Sequence, residues 1–203
     1  MAARHIFLPA IALLVLAACD ESSRTNAASS TEEFASRVGG PAAGPGKRFT
    51  GSEAWLPRAA AAGARAAPVG RADNDAAPKL QVIDYASQPV DIGPTQGGCA
   101  FSIDDQVMLI AGAPDTMDSA GRGVLQLGGQ RRSVVGAMAG GPSYIESGPT
   151  MGDGTYIAEV VREAGDPVEG DDGTFQWSAT MTVREGTDGP LRTYGPGKWT
   201  CGT

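Results

Sequence analysis

The groups able to do chemistry in this chain are few and unevenly placed. Its 203 residues include three cysteines, at 19, 99 and 201, and a single histidine, His5. Carboxylates are plentiful and gather in three places: Asp104 with Asp105, Asp115 with Asp118, and Asp166, Glu169, Asp171 and Asp172. Paired acids are the machinery of glycoside hydrolysis, which needs two carboxyl groups about 5–9.5 Å apart, one with a raised pKa. Here the acids stand among glycines and prolines, where turns favour them anyway. The run "GDPVEGDDG" (165–173) also offers hard oxygen ligands on a tight turn, which suits calcium. Asp166, Glu169, Asp171 and Asp172 are therefore a weak calcium candidate. The EF-hand spacing fails, because the third position counted from Asp166 is Val168.

Cys19 stands at the exit of an apolar run, Ile6 to Leu16, preceded by Arg4. As a helix those eleven residues are roughly 16 Å long, about half the hydrocarbon thickness of a bilayer, too short to span it. A basic start, a short apolar core and small residues at the exit describe a secretory signal peptide, residues 1–18. Leu16-Ala17-Ala18-Cys19 resembles the lipobox of bacterial lipoproteins. The resemblance covers only the first twenty residues or so. It implies cleavage before Cys19, a diacylglyceryl thioether on its sulfur, and an acylated amino terminus carrying a palmitate-like chain. Each buried methylene contributes about 0.8 kcal/mol, so two or three chains hold a protein at a membrane stably. Asp20, directly after the cysteine, resembles the sorting signal for inner-membrane retention. The expected address is the cell envelope, with the inner membrane facing the periplasm favoured over the outer membrane.

Loss of the leader removes the only histidine, which excludes Ser-His-Asp and Cys-His catalysis and every histidine-ligated metal site. An exported chain meets an oxidising compartment, so Cys99 and Cys201 are expected to form a disulfide. That bond would close a loop of about 100 residues, nominally about 4–5 kcal/mol in the chain-entropy model. Neither cysteine lies in a CxxC, and no GxSxG or Ser-x-x-Lys occurs. "GPAAGPGKR" (40–48) has Pro41 where a phosphate loop needs glycine. No cofactor is implied. From Asp20 to Pro78 seven acidic residues balance seven basic ones, whereas Lys79 to Thr203 carries sixteen against eight, a net charge of −8. Such a balance argues against nucleic acid and suits a cationic protein partner in the envelope.

Residues 19–78 are rich in Ala, Gly, Ser and Pro and are expected to be a flexible linker behind the lipidated cysteine, spanning roughly 40–45 Å on average. Two spots break this pattern. Ser30 with Glu33 three later is a capping-box pattern for a short helix. "FTGSEAWLPR" (49–58) holds Phe49, Trp55 and Leu56, a motif for docking or for folding back onto the domain. Residues 79–203 are expected to form an all-β domain, a small antiparallel sandwich or barrel. The clearest strand is "TFQWSATMTVR" (174–184), where Phe175, Trp177, Ala179, Met181 and Val183 alternate with polar residues. Shorter candidates are 80–84, 99–103, 106–111, 123–128, 132–137, 155–163 and 198–202. Trp177 and Trp199 are expected in the core, and Tyr144, Tyr156 and Tyr194 are candidates to line a groove for a glycan or peptide. Together these features favour a non-enzymatic binding or structural module. Two alternatives are an inhibitor of a cationic cell-wall hydrolase such as lysozyme, and a carboxylate-based enzyme acting on envelope glycans.

Overall fold

The computed structural model describes residues 48–49 (backbone only), 56, 70–72, 74–170 and 172–202. In chain order its elements are β1 (Arg48–Phe49), β2 (Arg71–Ala72), β3 (Leu80–Gln81), β4 (Val90–Asp91), β5 (Gly98–Ile103), β6 (Gln106–Gly112), β7 (Ala120–Leu127) and β8 (Gln130–Ala139), then the short helix α1 (Gly141–Glu146), then β9 (Thr150–Gly152), β10 (Tyr156–Arg162), β11 (Val168–Glu169), β12 (Phe175–Glu185) and β13 (Leu191–Gly202). Eight of these strands, β5 to β10 with β12 and β13, form a closed antiparallel barrel. Each pairs with its neighbour around the ring, and β13 returns to β5 through the ladder Lys198–Gly202 against Gly98–Ser102.

Side-chain alternation puts one set of residues inside. On β12, Trp177, Ala179, Met181 and Val183 are buried, while Ser178 between them faces out. Phe175 departs from the expectation that it shares this cover. It has the inward parity, but it sits at the rim, where the wall ends, and is 39% exposed. The interior is stacked in layers read directly from the register. One layer runs Phe175, Cys201, Cys99, Ala111 and Gly123 around neighbouring strands. The next runs Trp177, Trp199, Phe101, Leu109 and Leu125, all buried. The barrel is thus filled by its own rings and aliphatic chains, as small barrels are. Outward positions on β12 are polar (Gln176, Ser178, Thr180, Thr182), the reverse of a barrel that faces lipid.

The run Gln106–Gly112 has no polar alternation because both faces of β6 are covered. Leu109 and Ala111 point into the barrel, whereas Val107 and Ile110 join an outer cluster with Ala100, Val124, Ile83, Tyr85, Val90, Ile92 and Leu56. The segment 83–92 therefore lies as a strap over β5, β6 and β7. Arg131 holds it there through three backbone carbonyls: Asp84 at 2.7 Å, Gln88 at 2.6 Å and Pro89 at 3.0 Å.

Structure begins earlier than residue 79. β1 pairs with β4, Leu56 is buried in the outer cluster, and β2 pairs with Arg192 and Thr193 of β13. The segment expected to be linker therefore contributes to the fold. Burial of Leu56 favours folding back over external docking for the 49–58 motif. Cys19, Asp20, Trp55 and the helix expected near 30–40 lie outside the described residues. The strand expected at 198–202 begins at Leu191, interrupted by a bulge at Gly195-Pro196. A proline inside a strand is tolerated at such a bulge.

The disulfide Cys99–Cys201 is present, joining directly opposed residues of β5 and β13 whose Cα atoms are 4.1 Å apart. Its removal by Cys99→Ala with Cys201→Ala should lower stability by up to about 4–5 kcal/mol. Urea unfolding of wild type, with and without reductant, measures this against the double variant. A second expectation concerns Tyr85, whose phenol is pushed up to about 12, first by burial and then by the charges of Asp105 and Asp84. The fold holds the neutral phenol, so this stabilisation is complete below the ordinary phenol pKa of about 10. It is lost as pH rises towards 12. Unfolding free energy should therefore fall across that window, and less steeply in Tyr85→Phe; Tyr144 and Tyr194, raised in the same sense by burial, keep part of the slope.

Candidate functional site

A barrel with a filled interior leaves its two ends and its outer wall to meet other molecules. At one end the turns joining β5 to β6, β7 to β8 and β12 to β13 gather. The β5–β6 turn is Asp104-Asp105, both with positive φ (49° and 63°). Aspartate is one of the residues that tolerates this geometry in a two-residue hairpin turn. That accounts for this acid pair as turn chemistry. The chain segment 70–81 crosses the same end. Arg192, 4% exposed, donates to the carbonyls of Gly70 (2.8 Å), Pro78 (3.0 Å) and Ala77 (3.3 Å). The Tyr194 hydroxyl accepts from Leu80 N at 2.6 Å and donates to Pro78 O at 3.4 Å.

Between that segment and the β7–β8 turn lies an open groove of ≈ 690 Å³, lined by Asp75, Lys79, Gln81, Gln130, Arg132 and Tyr156 among others. Arg132 donates to Asp153 at 3.0 Å, and its guanidinium carbon stands 4.8 Å from the centre of the Tyr156 ring. The other Asp153 oxygen accepts from the amides of Thr155 (2.8 Å) and Tyr156 (2.7 Å). The ring of Tyr156 is thereby fixed as a platform for a guanidinium within the protein.

The opposite end is closed differently. α1 drops across the mouth, and Ile145 fills the space left by Gly121, where an added Cβ would lie 2.2 Å from Ile145 Cδ1. Trp199, fully buried, donates its indole N–H to the carbonyls of Ile145 and Glu146, each at 3.2 Å. The Tyr144 hydroxyl donates to Thr150 O (2.8 Å) and accepts from Thr150 N (3.0 Å), pinning the exit of α1 to β9. Beside α1 is a smaller pocket of ≈ 130 Å³, bordered by Pro142, Ile145, Phe175, Ala113 and the two bonded cysteines.

The three candidate tyrosines do not converge. Tyr144 belongs to the α1 end, whereas Tyr156 and Tyr194 belong to the other. Tyr194 is 1% exposed with its hydroxyl engaged, so its expected role at a binding surface is corrected to a structural one. The carboxylates divide likewise: Asp104 and Asp105 at the turn end, Asp115, Asp118, Asp166, Glu169 and Asp172 at the α1 end. Of the calcium candidates, Asp172 caps its own turn, accepting from Thr174 N and Oγ1 (3.2 and 2.7 Å), and those bonds hold its carboxyl below the usual range. Asp171 lies outside the described residues. Among the described residues no three Asp, Glu, His or Cys side chains gather as a metal-binding group. Arg131, Arg192 and exposed Phe175 had no sequence signal, since each acts through neighbours distant in the chain.

No family model, no curated protein and no solved structure matches this chain. The protein is a disulfide-bonded, side-chain-filled, eight-stranded antiparallel barrel.

Tyr194→Phe should leave the Leu80 amide without its acceptor in a buried setting, costing about 1–3 kcal/mol. Hydrogen exchange should show the Leu80 amide losing protection ahead of the β5–β7 amides. Unchanged protection at Leu80 would assign the closure of this end to Arg192 alone.

Proposed function

We propose that the protein is a lipid-anchored envelope lipoprotein whose barrel acts as a non-enzymatic binding module. One observation carries the anchoring: Cys99 and Cys201 are bonded to each other, which leaves Cys19 of Leu16-Ala17-Ala18-Cys19 as the odd cysteine. The diacylglyceryl thioether on Cys19 would be the membrane contact, and Asp20 favours the inner membrane facing the periplasm. Binding rather than catalysis is supported by the placement of the groups described above. The interior is occupied by Trp199, Phe101, Leu109 and their neighbours, while Asp104-Asp105 forms a hairpin turn and Asp172 caps its own turn.

A second reading, inhibition of a cationic cell-wall hydrolase, is favoured by the net charge of −8 over residues 79–203. Acidic charge speeds encounter with a basic enzyme. The alternative of a carboxylate-based enzyme on envelope glycans would need two acids facing each other across a cleft, whereas each of the two pockets described above is lined by one, Glu146 beside α1 and Asp75 in the groove.

In a host that processes lipoproteins, Cys19→Ala should leave the chain either released from membranes or uncleaved. Fractionation with mass measurement of the amino terminus reads both. A fully processed Cys19→Ala protein that still sediments with membranes would remove the anchor.

A further inference from the structure

We propose that the α1 end of the barrel docks a basic protein partner, seating an apolar side chain of that partner against Phe175 and the disulfide while the acidic rim holds its lysines and arginines. This deepens the binding-module reading and rests on it for the compartment.

The first support is apolar. The five large hydrophobic residues exposed among the described residues are Met117 (67%), Val168 (67%), Met138 (61%), Val161 (50%) and Phe175 (39%). Strand direction places every one of them towards the α1 end. Phe175 opens β12, and Val168 opens β11, which pairs with the first residues of β12. Met138 and Val161 are each next to last in β8 and β10, and Met117 lies in the β6–β7 connection. That connection meets the start of α1, where Ser119 O accepts from the amides of Gly140 and Gly141. Phe175 also borders the pocket of ≈ 130 Å³ beside α1. That volume is close to the about 150 Å³ of an engineered apolar cavity that admits benzene. Exposed apolar side chains at the mouth of a pocket, Phe175 with Val168 on the neighbouring strand, suit an interaction surface.

The second support is charge, and it selects the occupant. The connections at this end are 113–119, 140–149 and 163–174. Among the described residues these connections hold seven acids and no lysine or arginine, out of sixteen acids in residues 79–203. The other end is mixed: Asp75, Asp104, Asp105, Asp153 and Asp188 stand among Arg71, Lys79, Arg131 and Arg132. Two guanidiniums stand on strands near the α1 end: Arg122, opposite Gly112 at the end of β6, and Arg162, which lies over the Trp177 ring at 4.3 Å. A second copy of the chain meeting this end with its own would set two acidic rims face to face. An anionic lipid surface would be repelled in the same way. A basic protein segment with an apolar anchor matches both the pocket and the rim.

Calorimetric titration of the purified full chain tests this. The probes are a synthetic peptide of alternating lysine and leucine, an all-lysine peptide of equal charge, and phosphatidylglycerol vesicles. The lysine–leucine peptide should bind best and weaken as salt rises from about 50 to 300 mM. Phe175→Ser should weaken it about tenfold. Glu169→Gln with Asp172→Asn should weaken it and flatten the salt dependence, and Asp188→Asn at the far end should change nothing. Thermal unfolding checks that each variant folds, and Phe175 is exposed enough to be replaced. Equal affinity for the all-lysine peptide, indifference to Phe175→Ser, preference for the vesicles, or no binding by about 1 mM peptide would each overturn the proposal. So would self-association that Phe175→Ser abolishes. Cys19 fractionation does not depend on Phe175, so a failed titration beside a released Cys19→Ala chain sinks the docking surface and leaves the anchor standing.

Discussion

The seam between β5 and β13 is the constraint on which the rest of this protein depends. A sheet becomes a barrel only when its outermost strands meet, and here they are separated by about a hundred residues of chain. Five residue pairs, from Lys198 opposite Ser102 to Gly202 opposite Gly98, make the ladder, and the Cys99–Cys201 bond locks one pair covalently. With the ring shut, Phe101 and Trp199 face a common interior and bury completely. Left open, the same strands would present two unpaired edges and a half-solvated aromatic layer.

Closure leaves two mouths, and the chain covers each with a different device. At the α1 end the cover is local: α1 lies between β8 and β9, Ile145 enters the gap at Gly121, and Trp199 satisfies carbonyls that a helix end leaves free. At the other end the cover is remote. Residues 70–80 are drawn over β13 by Arg192 and Tyr194, a cation and a phenol buried among backbone carbonyls. A buried guanidinium is costly unless its nitrogens find acceptors, and each of the three nitrogens of Arg192 donates to a backbone carbonyl. The strap over β5–β7 uses the same solution at the surface, with Arg131 gripping Asp84, Gln88 and Pro89.

Much of this wall was legible in the sequence. The alternation in β12 is strict, β6 is an apolar run, and two cysteines remained to be paired once Cys19 was assigned elsewhere. The choice between sandwich and barrel was not legible, because both use the same alternation and differ only in whether β13 returns to β5. Strand lengths failed where glycine and proline read as turns. Gly195-Pro196-Gly197 concealed the first half of β13, and Gly148, Gly152 and Gly154 concealed β9. The linker boundary failed for another reason. Leu56 was marked by its neighbours Phe49 and Trp55 without saying where it would pack, Arg71 sits among small residues, and the partners of both lie far along the chain. Of the candidate site, the acidic character was visible from charge counting. The sorting of seven of those acids to one end, and the exposure of Phe175 beside them, depends on strand direction, which composition does not contain.

The distance along the chain between the two bonded cysteines has a consequence in time. At translation speeds of about 5–20 residues per second, roughly 5–20 s separate the emergence of Cys99 from that of Cys201. Throughout that interval β5 has an empty flank and its sulfur remains a nucleophile. The ring therefore cannot close, nor the bond form, until the last strand of the chain has been made.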